Sequence, residues 1–241
     1  MSVVGLLLVW AAAAGIAESD VLPGPAEVFG FMARETARGA LPYHLAITLA
    51  RVAAAFLLAM VIGSAIGIVL GQRSLANRIA DPWIILLLNI PALVVIVLAY
   101  VWIGLTETAA ILAVAVNKIP NVVVTLREGA RALDPAYAEV AHVYRFSSWK
   151  RLRHVTLPQL QPYFAAATRS GLALIWKIVL VVELLGRPNG VGFQIHLYFS
   201  LFDVTAILGY ALAFVLVMIA IEFLAVQPLE QRASKWRRKP A

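Results

Sequence analysis

Cysteine is absent from the 241-residue sequence. Its absence excludes a disulfide framework, a thiolate metal site and a cysteine nucleophile. The sequence has only four histidines, which are scattered along the chain and form no His-Glu-x-x-His pair. A zinc site is therefore not expected.

Nucleotide-binding and hydrolytic motifs are also missing. No Gly-x-x-x-x-Gly-Lys-[Ser/Thr] segment occurs, so the chain has no P-loop in which to hold ATP. The glycine-rich stretch 186–192 follows a long apolar run and not a strand, and Asn189-Gly190 within it predicts a turn. No nucleophile elbow occurs either. We expect no cofactor bound to this chain and no catalytic residue in it.

Charged residues make up only 14% of the sequence, whereas hydrophobic residues make up 62%. Typical soluble domains have about 25% charged and about 45–50% apolar residues. A water-soluble protein of this length would lack the polar side chains to cover its surface. The sequence therefore predicts an all-α membrane protein.

Six apolar segments are candidate membrane spans, since about 20 apolar residues cross a bilayer as a helix. We expect one transmembrane domain over residues 1–241, with spans at about 3–17, 45–70, 83–103, 108–126, 163–185 and 205–226. The first segment is short and is alternatively a cleaved signal peptide, although no Lys or Arg precedes its apolar run.

The loops between the spans differ strongly in positive charge. Thirteen of the 20 Lys and Arg residues lie in segments 71–81, 127–162 and 227–241, against three in segments 18–44, 104–107 and 186–204. Loops rich in Lys and Arg face the cytoplasm. We therefore expect the first set of segments, and both termini, on the cytoplasmic side. The basic stretch 235–239 is expected to contact the membrane surface.

The loop 127–162 is too long to be a simple connection between spans. Asp134-Pro135 predicts a helix start within it, because Asp accepts hydrogen bonds from free N–H groups and Pro fits the first helical position. A helix over 136–144 should follow, and Ser147 should cap a second, basic helix. Two such helices would form a docking knob for a soluble partner, and a solvated basic loop on lipid head groups is the alternative.

This loop resembles a known family. Glu139-Val140-Ala141 is followed by Val155-Thr156-Leu157-Pro158, with thirteen residues in between. The spacing is similar to that of the EAA loop of bacterial ABC importer permeases, in which Glu-Ala-Ala precedes Gly and then Ile-x-Leu-Pro. Similarity to the nitrate/sulfonate/taurine subfamily extends over about residues 22–226. The further motifs are Leu22-Pro23-x-Pro25, Thr48-Leu49-x-Arg51 with Gly63, Gly67 and Gly71, Leu133-Asp134-Pro135, and Arg169, Trp176, Glu183 and Gly190-Val191-Gly192.

The resemblance implies a permease subunit of the bacterial inner membrane that moves a small anion, such as nitrate, sulfonate or taurine, by alternating access. It also implies three kinds of partner: a second permease copy or paralogue, two ATP-binding subunits that carry ATP and Mg²⁺, and an extracytoplasmic solute-binding protein. A nucleic-acid partner is not implied. The residues implied to couple this chain to the ATPase are Ala138, Glu139, Val140, Ala141, Arg145, Phe146, Ser147, Leu157 and Pro158.

Two positions depart from the family pattern. Val140 occupies the second position of the triad, which is a mild change, and Arg145 occupies the position of the turn glycine. Glycine at a helix C-terminus supplies a positive φ that a side chain resists, at a cost of about 1 kcal/mol. Either the turn is built differently here, or a second permease in the complex keeps the glycine. Homodimer and heterodimer therefore both stay open.

Four basic residues fall within the predicted spans. A charged side chain near the bilayer centre costs about 2.5–3.5 kcal/mol on insertion scales, so it usually faces a cavity or a partner. Arg51 and Arg169 lie near span ends, and we expect them to reach the head groups. Lys118 and Lys177 lie deeper, and we expect them to line a solute path, with burial against protein as the alternative.

Polar residues interrupt two of the spans, at Asn89-Ile90-Pro91 and at Asn117-Lys118-Ile119-Pro120-Asn121. Proline removes a helical hydrogen bond, and irregular backbone within a bilayer is tolerated only beside water or buried protein. We expect Asn89, Asn117 and Asn121 beside the solute path, unless the prolines only kink the helices. Lysines and amides at this depth would suit a small anion.

Two other classes of protein are compatible with these spans. An ion-coupled carrier often has paired broken helices in repeated halves, but the two breaks here lie in adjacent spans. A membrane-embedded enzyme would need clustered acid, base or metal ligands, which the sequence does not show.

Gly63, Gly67 and Gly71 share one helix face and predict close packing with another helix.

Overall fold

The computed structural model describes residues 3–17 and 21–228. Those residues form eleven α-helices and two short π-helical segments, and they contain no strand. The elements are α1 (Val3–Ala17), α2 (Pro25–Ala37), α3 (Ala40–Gln72), α4 (Ser74–Asn89), α5 (Ala92–Ile103), α6 (Glu107–Arg131), α7 (Pro135–Val143), α8 (Ser148–Arg151), a π-helical segment (Leu152–Thr156), α9 (Leu157–Gly186), α10 (Val191–Ser200), α11 (Val204–Ile221) and a second π-helical segment (Glu222–Val226).

The described residues contain fewer full spans than the six predicted. Four helical stretches are long and apolar enough to cross a membrane: Ala40–Gln72, Glu107–Arg131, Ser148–Gly186 and Val204–Leu224. The bent pair α4 and α5 would make a fifth. Helix α1 has the predicted bounds, but its 15 residues extend only about 22 Å, which is less than the bilayer core. The prediction of all-helical structure is confirmed, whereas the division into one domain over 1–241 stays a prediction.

Two predicted loops contain helices that the apolar-run criterion missed. Helix α2 lies within segment 18–44 and begins with Pro25. The Glu27 side chain caps this start, because its Oε2 accepts a hydrogen bond from the Gly24 N–H at 3.3 Å. Helix α10 lies within segment 186–204, and Asp203 then caps α11 through the Ala206 N–H at 2.9 Å. Both helices are too short to register as spans. The basic stretch 235–239 lies outside the described residues.

Helices α3 and α6 pack closely and run in the same direction. A Cβ atom added to Gly63 would lie 2.7 Å from the Val122 Cβ, and one added to Gly71 would lie 2.5 Å from the Ala130 Cβ. A Cβ at Gly67 would lie 2.7 Å from the Val123 carbonyl oxygen. These distances are too short for real contacts, so only glycine permits this approach. The prediction of close packing is confirmed.

The two predicted breaks behave differently. Helices α4 and α5 meet at Ile90-Pro91 with a bend of 94°, so this break is confirmed. Helix α6 is continuous from Glu107 to Arg131 with Pro120 inside it, so the second break is wrong. Pro120 is buried, and neighbouring helices can support the backbone around a proline within a membrane protein.

The core lies between α3, α5, α6 and α9. Its buried residues include Val52 of α3, Ile96 of α5, Val114 of α6 and Ile175 of α9. A second apolar cluster joins the start of α3 to α10 and α11 through Leu41, Val191, Tyr210, Ala213 and Phe214. The polar groups described next lie at the end of the bundle where α3 and α6 begin and α9 ends.

Candidate functional site

Charged and polar side chains from three helices and a loop converge at this end of the bundle. We call them the polar cluster, and its members are Thr48 and Arg51 of α3, Glu107 of α6, Glu183 of α9, and Arg187 and Asn189 of the connection to α10. The cluster contains two arginines and two glutamates, so its formal charges balance.

Arg51 lies at the centre of the polar cluster. Its Nη1 donates to Glu183 Oε1 at 2.7 Å, while its Nε and Nη2 donate to the two Glu107 oxygens at 2.9 and 2.6 Å. Only 5% of the Arg51 side chain is exposed. The expectation that Arg51 reaches the head groups is therefore wrong, because two carboxylates compensate its charge inside the protein.

Glu183 connects the cluster to α10. Its side chain is fully buried, and besides Arg51 it accepts hydrogen bonds from Thr48 Oγ1 and from the Gly192 N–H, both at 2.9 Å. The Thr48 hydroxyl in turn accepts from the Val191 N–H at 2.8 Å. The first N–H groups of a helix have no partner within the helix, and a carboxylate there is favourable. Side chains of α3 and α9 thus cap α10.

Two glycines make this capping geometry possible. Gly190 has φ of 106°, in the region that favours glycine, and a Cβ there would collide with the Glu183 carboxyl group. Its N–H donates to His44 Nδ1 at 3.0 Å. A Cβ at Gly192 would lie 2.8 Å from the Glu183 Cβ. The sequence motif Gly190-Val191-Gly192 is therefore explained by the approach of α10 to Glu183.

The pairing of Arg51 with Glu183 was not predicted, because Arg51 was expected to reach the head groups and Glu183 was considered only as part of a family motif. A usable signal was present, since both residues lie about six residues or fewer from the same end of two different predicted spans. Opposite charges near the same end of neighbouring spans favour a pair. The contact joins residues 132 positions apart, which no local pattern reports.

The loop 127–162 has the two predicted helix starts. The Ala136 N–H donates to Asp134 Oδ1 at 2.9 Å at the start of α7, and the Lys150 N–H donates to Ser147 Oγ at 3.3 Å at the start of α8. Ala141 is buried, whereas Glu139 is exposed and has no ion pair within the described part of the chain. Large apolar side chains project from this loop into solvent: Tyr137, Val140, Val143, Tyr144 and Trp149.

The remaining residues implied to couple to the ATPase differ in their exposure. Ala138 and Phe146 are half-buried, and Ser147 is exposed. Leu157 and Pro158 are half-buried at the start of α9. The π-helical segment joins α8 to α9 without interruption, so the loop is continuous with a membrane span.

Arg145 keeps the backbone geometry that glycine would supply. Its φ is 47°, and its N–H donates to the His142 carbonyl at 2.9 Å. The Phe146 N–H donates to the Ala141 carbonyl, also at 2.9 Å. These two hydrogen bonds form the helix-terminating arrangement that usually has glycine at the position with positive φ. The turn is therefore not rebuilt, and Arg145 adopts a conformation that costs about 1–2 kcal/mol for a side chain.

The five predicted path residues do not converge. Lys118 is 2% exposed, its stem packs near Phe56 and Gly171, and no hydrogen bond or ion pair reaches it from the residues that the structure describes. Lys177 is exposed, with its Nζ 5.7 Å from the Trp176 ring centre. Asn89 is exposed at the α4–α5 bend and donates to the Ile85 carbonyl at 2.8 Å.

The other two path residues are half-buried on α6. Asn117 and Asn121 are about one helical turn apart, so they lie on the same face of α6, beside Lys118. Arg169 is the second basic residue that we expected to reach the head groups. It is exposed, and its Nε lies 3.7 Å from Glu222 Oε1. Among these four residues, Arg51 is paired with two carboxylates, Glu107 and Glu183.

An all-helical bundle with several apolar spans and an exposed helical loop defines a polytopic membrane protein. The chain belongs to the ABC importer permeases, because residues 59–227 match the family described as "Binding-protein-dependent transport system inner membrane component". This match confirms the predicted family and the inner-membrane class. Members are transport components and not enzymes in themselves, so the carrier and enzyme alternatives no longer apply.

Several curated relatives are similar over most of the chain. SsuC of Bacillus subtilis, named as an aliphatic sulfonates transport permease, is 32% identical over 75% of this chain, which spans 66% of that relative's length. The bicarbonate transport permease CmpB of Synechococcus elongatus is 28% identical over 80% of this chain and 73% of its own length. The nitrate import permease NrtB of the same organism is 27% identical, covering 78% and 71%.

Solved structures share the fold. A chain of the MetNI methionine ABC transporter in an inward-facing conformation aligns with a TM-score of 0.70 at 19% identity, covering 83% of this chain and 99% of that one. A chain of an amino acid ABC transporter aligns with a TM-score of 0.66, also at 19% identity, covering 84% and 98%. The helical arrangement of the bundle is therefore that of ABC transporter permeases.

Proposed function

We propose that this chain forms the solute path of an ABC importer for a small anion and that separate ATPase subunits drive it through α7 and α8. The observation that carries the proposal is the exposed apolar surface of these two helices, which is continuous with α9. Val143 and Tyr144 are 75% and 73% exposed, and Trp149 is 68% exposed. Several large apolar side chains exposed on one short segment are typical of a protein interface.

The ATPase would contact the residues implied by the family resemblance. Glu139 and Val140 are exposed on α7, next to Tyr137 and Val143. Lys150 adds positive charge to this surface, and its Nζ lies 4.3 Å from the centre of the Phe146 ring. Closure of the ATPase would then move α7 and α8 as one unit. Two ATPase copies, each with its own ATP and Mg²⁺, would serve two permease chains.

The substrate class rests on the relatives and on intramembrane charge. The three relatives are named for sulfonates, bicarbonate and nitrate, all of which are anions. Lys118 and Lys177 carry positive charge within spans, and no carboxylate pairs with either among the described residues. A transported anion would supply the missing negative charge.

A second permease copy or paralogue would cover the α4–α5 bend. This bend interrupts helical hydrogen bonding within an apolar segment, and Asn89 and Pro91 are exposed there. Irregular backbone at such a depth is tolerated only beside water or buried protein. We infer that the bend faces the solute path between two permease chains.

Loop charge supports a specific sidedness. With the C-terminal segment and α7–α8 in the cytoplasm, the more basic segments face the anionic leaflet, and the N-terminus lies on the same side if α1 crosses the bilayer as a sixth span. The polar cluster then lies near the extracytoplasmic surface, where a solute-binding protein would deliver its cargo.

The proposal is tested by co-purification. Tyr144→Ala combined with Trp149→Ala should remove the ATPase from the purified permease while leaving the spans inserted, because both side chains project from the proposed interface. Phe202→Ala is the matched control, since Phe202 is 86% exposed at the opposite end of the bundle. Retention of the ATPase by the double variant, with normal ATP hydrolysis, would overturn the coupling role.

A further inference from the structure

A single helical stretch connects the two ends of the molecule. Residues Ser148–Gly186 form one continuous helical stretch of 39 residues, which includes α8, the first π-helical segment and α9. Its length is about 58 Å at 1.5 Å per residue. One end continues from the α7–α8 surface, and the other end carries Glu183 three residues before Gly186. A displacement at either end can therefore reach the other along one element.

The Glu183 end is joined to α10 by directional bonds and not only by apolar contact. Glu183 accepts from the Gly192 N–H at 2.9 Å, and Thr48 accepts from the Val191 N–H at 2.8 Å. Because these are the first N–H groups of α10, they fix the position and direction of that helix. Movement of α10 must either move Glu183 or break its bonds.

Arg51 makes this joint stiff. Its guanidinium group spans Glu183 and Glu107, and it also donates to the Asn189 backbone oxygen at 2.9 Å. The Glu183 side chain is fully buried, and the Arg51 side chain nearly so, so neither charge has water as an alternative partner. The contact between Glu183 and the start of α10 is therefore held in one arrangement until several hydrogen bonds change together.

We propose that Glu183 and Arg51 are positioning residues that couple movement of α10 to movement of α9 and thereby to the ATPase surface on α7 and α8. This inference rests on the proposed function. The family is defined by dependence on a binding protein, and the segment 187–203 is the part of the proposed extracytoplasmic surface that is joined to α9 by hydrogen bonds to buried side chains. The coupling free energy between two sites is the same in both directions. ATP binding at the ATPase surface should therefore also change the α10 end.

The test measures this reciprocal effect in the assembled importer. The chain has no cysteine, so a single Phe202→Cys variant carries one spin label at a fully accessible position beside α10. Addition of Mg²⁺ and a non-hydrolysable ATP analogue to the labelled importer in nanodiscs should change the label's mobility. In the Glu183→Gln background that change should fall by about fivefold or more, the lower range of typical coupling between sites.

Two further variants separate coupling from stability. Glu128→Gln removes an exposed carboxylate of α6 that pairs with Arg131, and it should leave the label's response unchanged. Thr48→Val keeps the side-chain shape and the charge balance but removes the hydroxyl between Glu183 and Val191, so it should also lower the response. Thermal stability of each variant is measured in parallel, because a merely structural role would lower stability without reducing the response.

The outcomes are distinguishable. A full response in Glu183→Gln overturns the inference, and if that variant does not assemble, a full response in Thr48→Val overturns it instead. An importer that hydrolyses ATP but shows no label response in the parent background also overturns the inference while the proposed function stands. A permease that binds no ATPase overturns the proposed function, and this inference with it.

Discussion

The Arg51 Nη1 lies 2.7 Å from Glu183 Oε1, and both side chains are almost completely withdrawn from solvent. One residue belongs to α3 and the other to α9, so the pair connects two spans near the point where α10 begins. Its neighbours satisfy the remaining lone pairs and N–H groups, which is the condition under which a buried ion pair is tolerated.

Breaking this pair from one side should destabilise the protein strongly. Arg51→Met leaves the Glu183 carboxylate buried without its counter-charge, and we expect the free energy of unfolding to fall by about 3–5 kcal/mol. Thermal unfolding of the purified permease in detergent measures the loss. The control is Arg131→Met, which removes a half-exposed i,i+3 pair with Glu128 and should change the unfolding free energy by at most about 1 kcal/mol. Equal effects of the two substitutions would contradict the account.

The glycine face of α3 should not accept even one methyl group. Gly67→Ala places a Cβ 2.7 Å from the Val123 carbonyl oxygen, so α3 and α6 must move apart, at a cost of about 1–3 kcal/mol. Gly15→Ala in α1 is the matched control, because a Cβ there meets nothing within 4 Å. We expect lower thermal stability for Gly67→Ala and no loss for Gly15→Ala, and a neutral Gly67→Ala would refute the close approach.

Arg145 holds a left-handed backbone conformation that glycine adopts freely. Arg145→Gly should therefore stabilise the turn after α7 by about 1 kcal/mol. Hydrogen exchange of the Phe146 amide, which donates to the Ala141 carbonyl, reports the change locally. Tyr144→Gly is the control, since Tyr144 has φ of −82° and glycine there should only weaken the helix end. Faster exchange at Phe146 in Arg145→Gly would show that the turn is not strained.

Lys118 should matter for transport more than for stability. Lys118 is 2% exposed and has no hydrogen-bond or ion-pair partner among the described residues, so Lys118→Met should leave thermal stability unchanged or raised. Uptake of a sulfonate, bicarbonate or nitrate probe should fall about tenfold, equivalent to about 1.4 kcal/mol of lost anion stabilisation. Arg78→Met, on the exposed surface of α4, is the control for charge alone. Unchanged uptake in Lys118→Met would remove this residue from the solute path.

Local signals in the sequence predicted the loop that we assign to coupling. Asp134-Pro135 and Ser147 start their helices through hydrogen bonds to residues two or three positions away, so their effect is readable from the sequence itself. The position of the left-handed residue at Arg145 was also indicated, although the spacing alone did not decide whether the turn would be rebuilt around a side chain.

The polar cluster could not be predicted in the same way. Its bonds join distant positions, 56 residues apart for Arg51 and Glu107 and 135 residues apart for Thr48 and Glu183, and they depend on how α3, α6 and α9 assemble. The count of six spans is not confirmed for a different reason, because apolar character identifies α1 but its 15 residues are fewer than the about 20 that cross a bilayer. The predicted break at Pro120 is wrong, because a proline breaks a helix only where neighbouring groups cannot support the freed backbone.

The central claim is that α7 and α8 dock on a separate ATPase. Because the chain has no cysteine, a single Val143→Cys variant provides one reactive thiol on the exposed face of α7. In membranes that contain the whole importer, a short bifunctional cross-linker should join this thiol to the ATPase subunit, whereas Phe202→Cys at the opposite end should give no such product. Cross-linking from Phe202 but not from Val143, or from neither while the ATPase remains bound and active, would contradict the account.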